Sequence, residues 1–512
     1  MKFRKTISAA LAACILTGSC ITPAFAEEPA PVQLVFGDIN MDQSVDVADA
    51  VAVARYCVMD YDLKLTDQGK LQGDVNADGN LDEADVLKII RFIARQIERD
   101  ALGKPDQQPA EYKYQATCLT DAVTSGTVSK KKADETFIAS QMKLTADLFK
   151  GAAQDPQTTD NMLISPLSVS QALAMTTNGA EDNTRTEMEK LLGDTLDIEA
   201  LNQYYADYTA MLTASDELSI ANSLWVRNDE NRIKVPEAFL QTAKDYYHAD
   251  AFTAPFDDST VKDVNNWVDT NTKHMIPTLI DEIDENWIML LINALAFEAE
   301  WTSPYMANDV HDGVFHAYDG DMTATMMYGE ESTYLEDEYA TGFLKQYKGG
   351  KYSFAAVLPK QEKSVTVSDY IGMMTGESLQ NLLNSSKQTE VHTMLPKFKY
   401  DYTITLNDVL YALGMKDAFI YPLARFGKLN SVNPECKVDL VLHKTFIQVD
   451  ELGTKAGAVT MVAIADNAVG PTDYKTVCLD RPFIYMIIDN ETQLPVFIGT
   501  VMHPTEAENP AS

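Results

Sequence analysis

Glu451-Leu-Gly-Thr-Lys-Ala-Gly-Ala-Val-Thr-Met461 is the stretch that decides the fold. It follows a strand-like run, His443-Lys-Thr-Phe-Ile-Gln-Val-Asp450. It precedes an unpatterned stretch, Val462 to Cys478, and then a second apolar strand, Pro482-Phe-Ile-Tyr-Met-Ile-Ile-Asp489. A connection of about thirty residues between two strands is too long for a plain turn, and loops of that length are functional or disordered. With a period of two, Thr454, Ala456, Ala458, Thr460 and Val462 share one face, which is small or β-branched and uncharged. Such a face can slide into a sheet and be buried. The opposite face carries Lys455, Gly457, Val459 and Met461, where a charge is harmless. A loop able to become a buried strand is a stored-energy switch.

The stretch from His443 to Ala456 resembles the proximal hinge of the serpins, the suicide inhibitors of proteases. Other segments are similar to that family in the same order. They are Asn161-Met-Leu-Ile-Ser-Pro-Leu-Ser-Val-Ser-Gln-Ala-Leu-Ala-Met175, Ile220-Ala-Asn-Ser-Leu-Trp-Val226, and Asn265-Asn-Trp-Val-Asp-Thr-Asn-Thr272 with Ile276-Pro277. Leu291-Ile-Asn-Ala-Leu-Ala-Phe297 with Trp301, Leu395-Pro-Lys-Phe398, Leu413-Gly-Met415 and Pro495-Val-Phe-Ile-Gly499 complete the series. The resemblance implies an α+β serpin fold, with mixed central sheets, surrounding helices and an exposed reactive loop.

It also implies roles for individual residues. The hinge is Glu451, Gly453, Thr454, Ala456, Gly457, Ala458, Val459 and Thr460. Glu451 and Lys397 match a salt bridge at the top of the sheet near Trp301, and Ser165, Ser168, Asn293 and His443 match a shutter lower down. The reactive bond, seventeen residues along from Glu451, is Asn467–Ala468, with Asp466–Asn467 as the alternative. Asn467 suits a subtilisin-like protease, and Ala465 or Ala468 an elastase-like one. The implied partner is a serine protease held as a covalent acyl complex. The alternative is a non-inhibitory serpin with a binding or structural role. An uncharged inserting face favours inhibition, although Lys455 stands where the family has an acidic residue and Leu452 where a polar one is common.

A second motif lies near the N-terminus. Gly37-Asp-Ile-Asn-Met-Asp-Gln-Ser-Val-Asp-Val-Ala-Asp49 is repeated 36 residues later as Gly73-Asp-Val-Asn-Ala-Asp-Gly-Asn-Leu-Asp-Glu-Ala-Asp85. Side-chain oxygens fall at loop positions 1, 3, 5, 9 and 12, the spacing by which a tight loop wraps one Ca²⁺. The donors are Asp38, Asn40, Asp42, Asp46 and Asp49, then Asp74, Asn76, Asp78, Asp82 and Asp85, with backbone carbonyls from Ser44 and Asn80 at position 7. Hard oxygens without His or Cys select calcium over zinc. Position 6 is Gly79 in the second loop but Gln43 in the first, which makes the first site the weaker. No helix is expected before either loop, and one follows each, Ala50–Tyr56 and Val86–Ile97. These loop–helix repeats resemble dockerins, all-α modules that plug bacterial enzymes into cohesin-bearing scaffolds such as cellulosomes. Two calcium sites and a cohesin partner follow from the resemblance. Positions 10 and 11, which steer partner choice, are Val47-Ala48 and Glu83-Ala84, so the repeats are not interchangeable. Lys88, Arg91 and Arg95 share a helix flank that could meet an acidic rim or be an ordinary solvated face, the more frequent case for a lone basic flank.

Lys2, Arg4 and Lys5, an apolar run from Ile7 to Leu16 and Ala24-Phe-Ala26 read as a secretory signal. The expected boundaries are a signal peptide over 1–26, a dockerin over 36–100, a linker over 101–133, a serpin domain over 134–505 and an acidic tail over 506–512. The destination is extracellular or scaffold-associated, and no later apolar run is long enough to span a membrane. A net charge of −35 disfavours nucleic acid and anionic membranes as partners. After cleavage Cys57, Cys118, Cys436 and Cys478 remain, without paired spacing. No G-x-S-x-G, HExxH, Walker or G-x-G-x-x-G motif is present, and the chain is expected not to be an enzyme.

Overall fold

The computed structural model describes residues 35–42, 44–57, 63–93, 97, 99–104, 112–284, 286–454 and 474–505. The chain divides into two units, Met1–Tyr112 and Lys113–Ser512.

In the small unit the helices are Val47–Cys57, Asp67–Gly73 and Glu83–Ile93. The two long ones follow the Asp-rich loops, as the repeat predicts. The middle one does not fit the expectation, because it leads directly into the second loop. Thr66 starts it, its Oγ accepting from the Gly69 amide at 2.9 Å. At seven residues with two glycines it is too short to leave an apolar stripe in the sequence. Ile39, Val53, Val75, Ile89 and Leu102 form a small buried core.

The large unit holds three sheets and a buried helix. One sheet runs Thr117–Cys118, Asp250–Ala254, Leu218–Arg227, Met289–Phe297 in spatial order. Another runs Phe398–Thr405, Leu442–Val449, Gly453–Thr454, Ala299–Glu300. The third has nine strands, with Phe483–Asp489 and Pro495–Val501 paired next to its edge strand Met162–Ile164 and every residue of both buried. Continuous apolar runs such as these are what a strand covered on both faces requires. Pro166–Thr177 is buried on nearly all sides. Ser165 caps it, and Pro166 occupies the first turn, where a missing N–H costs nothing.

The stretch read as linker is structured from Lys113 onward. Thr117–Cys118 pairs with Phe252–Thr253, and the amides of Gln115 and Ala116 donate to Asp263 at 2.9 and 2.8 Å. Lys244 Nζ donates to the carbonyls of Thr120 and Val123, each at 2.6 Å. The segment is held through its backbone, so its Ser/Thr/Gly-rich side chains gave no apolar pattern.

Candidate functional site

The 289–300 run changes partners along its length. Over Met289–Phe297 it pairs with Leu218–Arg227. At Ala299–Glu300 it pairs instead with Gly453–Thr454, which in turn reaches Val449. Among the described residues no ladder joins Met289–Phe297 to Leu442–Val449. Between them lies a slot with Leu291 and Asn293 on one wall, Val441 to His443 on the other, and Ser168, Ala172 and Thr176 of the buried helix as floor. The head of the slot is closed by the first two residues of the predicted inserting strand.

Gly453 fits there because it has no side chain; a Cβ would stand 2.1 Å from the Ala299 carbonyl oxygen. Thr454 is 2% exposed, and its hydroxyl lies 2.6 Å from the Tyr347 hydroxyl. Tyr347 stacks on Trp301 with centroids 4.4 Å apart. Trp301 holds the turn before the hinge by donating from its amide to the Leu452 carbonyl at 2.8 Å and from Nε1 to the Asp450 carbonyl at 2.9 Å. Lys397 and Glu451 form the expected ion pair at 2.5 Å. Burial opposes ionisation of Glu451, but the Lys397 ammonium outweighs it and the carboxyl is held below its usual range. Tyr347 and Asp450 belong to this lock and were not legible beforehand. Tyr347 follows the mixed strand Ala340–Gln346, which does not mark it, and the Asp450 carboxylate acts by accepting the Leu452 and Gly453 amides.

The shutter residues converge lower in the slot. The Ser165 amide donates to His443 Nε2 at 3.0 Å, and Ser165 Oγ accepts from the Ser168 amide at 3.2 Å. His443 is buried, and that burial pushes its pKa down to about 4. It is a neutral acceptor in the core. Asn293 Nδ2 donates to Asn222 Oδ1 at 2.6 Å, while its buried Oδ1 has no partner. Lys455 to Thr460 of the hinge region, with Asp466, Asn467 and Ala468 of the reactive bond, lie outside the described residues.

The two Asp-rich loops have the same internal geometry. Asp49 Oδ1 accepts the Ile39 and Asn40 amides at 2.9 and 3.2 Å, and Asp85 Oδ1 accepts those of Val75 and Asn76 at 2.8 and 3.2 Å. Asp42 and Asp78 donate their amides to Asp38 and Asp74, and Ser44 and Asn80 donate theirs to Asp42 and Asp78. Position 4 is left-handed in both, at Met41 (φ 62°) and Ala77 (φ 58°). Gly79 adopts φ 89°, as position 6 requires, while Gln43 lies outside the described residues. Asp49 and Asp85 are fully buried, and burial raises both pKa values although loop amides draw them down. Two buried carboxylates in an all-oxygen donor set fit a hard divalent cation, which would offset their desolvation.

Beside the loops, Val47–Cys57 and Glu83–Ile93 present an apolar groove lined by Val47, Ala50, Val51, Ala54, Val86 and Ile90, with Ile93 at its end. Val47 and Val51 are 62% and 49% exposed. Of the basic flank, Arg91 is exposed, Arg95 lies outside the described residues, and Lys88 is not available as a rim charge. Lys88 is buried and donates to the Lys104 carbonyl at 2.6 Å, because the 99–104 segment folds back over it.

Residues 139–504 match the family model described as serpin (serine protease inhibitor), and residues 36–94 match that of the dockerin type I domain. A solved structure of the thermophilic serpin tengpin in its native state is 45% identical, with a TM-score of 0.71, and covers 76% of this chain and 100% of its own. Human neuroserpin is 30% identical over 67% of this chain and 86% of its own length. An uncharacterised serpin-like protein of Thermococcus kodakarensis is 29% identical over 79% of this chain and 94% of its own. The slot, the lock at its head and the matched length together place this chain in the serpin family, with a type I dockerin on its N-terminal side.

Proposed function

We propose that the large unit inhibits serine endopeptidases of the subtilisin-like or elastase-like kind by loop cleavage and insertion. The observation that carries this reading is the unladdered slot with Gly453–Thr454 already threaded at its head. A protease attacking the Asn467–Ala468 bond becomes acyl-linked to the loop. Cleavage frees residues after Thr454 to continue as a strand between Met289–Phe297 and Leu442–Val449. About fourteen residues at roughly 3.3 Å each carry the tethered enzyme on the order of 45 Å. The unpartnered Asn293 Oδ1 is an acceptor the incoming strand can meet.

The dockerin carries the inhibitor to a cohesin-bearing extracellular scaffold. Ca²⁺ at two sites would be held by Asp38, Asn40, Asp42, Asp46 and Asp49, and by Asp74, Asn76, Asp78, Asp82 and Asp85, with the Ser44 and Asn80 carbonyls. It supplies the charge that orders the loops and sets the two following helices. The exposed groove between those helices is the apolar face offered to cohesin. The secretory signal this requires falls at 1–26, outside the described residues. No helix among the described residues is long and apolar enough to cross a membrane.

Ala458→Arg tests the inhibitory reading. It puts a guanidinium on the face that insertion must bury beyond Thr454, at a cost of several kcal/mol. The parent should give an SDS-stable complex with a subtilisin or an elastase, and the variant should be cleaved without trapping. Equal trapping by the variant defeats the insertion mechanism. A parent cleaved without trapping across both enzyme types leaves the non-inhibitory reading.

A further inference from the structure

Outside the hinge and the dockerin loops, three side chains with metal-ligand chemistry converge on one spot. Glu330, Glu390 and His392 each bring one donor atom within 4.8 Å of the others, the only such group of three His, Cys, Asp or Glu among the described residues. His392 lies directly across the strand pair from Glu330. A bulge brings in the third: Gln388 faces Thr333 and Val391 faces Glu331, so Thr389 and Glu390 share the place opposite Ser332. His392 Nε2 stands 2.8 Å from Glu390 Oε1 and 3.8 Å from Glu330 Oε1.

A surface histidine beside one carboxylate is an ordinary ion pair. Here two carboxylates of a chain with net charge −35 are drawn to the same ring nitrogen, an arrangement that a divalent cation would hold more firmly than a single imidazolium charge. The neighbouring Glu331 is already met by Lys345 at 2.7 Å. The ring plane of His392 is set as well, since Tyr474 stacks on it with centroids 4.3 Å apart and planes 9° from parallel.

We propose that Glu330, Glu390 and His392 bind a first-row divalent transition-metal ion, with Zn²⁺ the best match, and that the ion braces the C-terminal foot of the reactive loop. One imidazole nitrogen and two carboxylate oxygens give three protein ligands of zinc-type chemistry, leaving a fourth position for water. The imidazole distinguishes the site from the all-oxygen calcium loops. Binding replaces any proton on His392 Nε2 by the metal and releases it to solvent. Tyr474 leads into Lys475–Cys478, which pairs in parallel with Val391–Met394. Fixing His392 therefore fixes the ring on which that strand's first turn rests. This site does not depend on whether the loop inhibits a protease.

The test uses the full chain in saturating Ca²⁺, so that the dockerin loops are filled. Zn²⁺ titrated calorimetrically should bind at one site per chain, and Co²⁺ should give visible ligand-field bands. His392→Ala should lose the bands and at least about ten-fold in affinity. Glu390→Gln, which keeps the Tyr474 stack, should weaken binding in the same direction. Amides of Lys475–Cys478 should exchange more slowly with Zn²⁺ in the parent and not in His392→Ala. Absence of saturable Zn²⁺ uptake by the parent, or equal affinity in His392→Ala, overturns the site. Binding without slower exchange overturns the brace.

Discussion

The shutter should open on acidification, and His443 sets the size of the effect. Its ring is buried and its Nε2 lone pair accepts the Ser165 amide at 3.0 Å, so a proton there would set N–H against N–H. Burial lowers its pKa from 6.5 to about 4. An opened chain takes the proton below pH 6.5, while the closed one resists until about pH 4. The stability contributed by the neutral ring is thus complete above pH 6.5 and is lost as pH falls toward 4. The full difference corresponds to about 3 kcal/mol, of which about 2 kcal/mol is gone at pH 5. His443→Gln removes the titration but keeps a side-chain oxygen that can accept the Ser165 amide. The free energy of the first urea transition should fall between pH 7.5 and pH 5 by about 2 kcal/mol more in the parent than in the variant. Measuring the difference between the two proteins cancels the many carboxylates they share. An identical fall in both would show that the shutter histidine does not carry the acid response.

Lys397→Ala should hasten heat-induced polymer or latent forms several-fold, read on native gels, because the Glu451 pair is worth about 1 kcal/mol after allowance for its partial exposure. Its contribution is present above the usual glutamate range and fades as pH falls through the lowered pKa of Glu451, so the variant and parent should converge in acid. EDTA should abolish cohesin binding and leave protease trapping intact. Asp74→Ala should cost more scaffold affinity than Asp38→Ala, since the second loop has Gly79 at φ 89°; a scaffold affinity indifferent to EDTA refutes the calcium assignment. Mass spectrometry of the C-terminal peptide released by protease should find a start at Ala468. A start at Asn467 would move the reactive residue to Asp466.

Much of the site was legible because it consists of short contiguous motifs. The Asp-rich loops show themselves by a repeated spacing, and the structure gives both the same hydrogen-bond pattern. The hinge declares itself by small residues at a period of two, and the structure has the first of them, Thr454, buried in a sheet. What sequence could not give was contact between distant segments. Tyr347 meets Thr454 across 107 positions, and nothing around Tyr347 announces it. Helical periodicity places Lys88 beside Arg91, as a rim charge or an ordinary solvated one, whereas a returning segment at 99–104 covers it. The same limit produced the overlong linker: backbone pairing of Thr117–Cys118 leaves no mark on side-chain composition.

On the proposed insertion mechanism, the hinge geometry says where the native state would keep free energy in reserve. Met289–Phe297 and Leu442–Val449 are two strand edges facing a common slot, and among the described residues neither has a ladder partner on that side over the slot. An unpaired edge is a template for any extended chain that can reach it. Here the nearest such chain is covalently the next segment, already started between the two edges by Gly453 and Thr454. Further entry is opposed at three places: the Lys397–Glu451 pair, the Trp301 bonds to Asp450 and Leu452, and the His443–Ser165 contact below. The first two act on the turn that would have to unroll. The third acts on the floor over which the strand would slide. Loosening any one should therefore speed insertion and add its lost native-state stabilisation to the energy released, whereas a charge farther along the inserting face, at Ala456 or Ala458, should remove the gain itself. That division separates variants that polymerise from variants that become substrates.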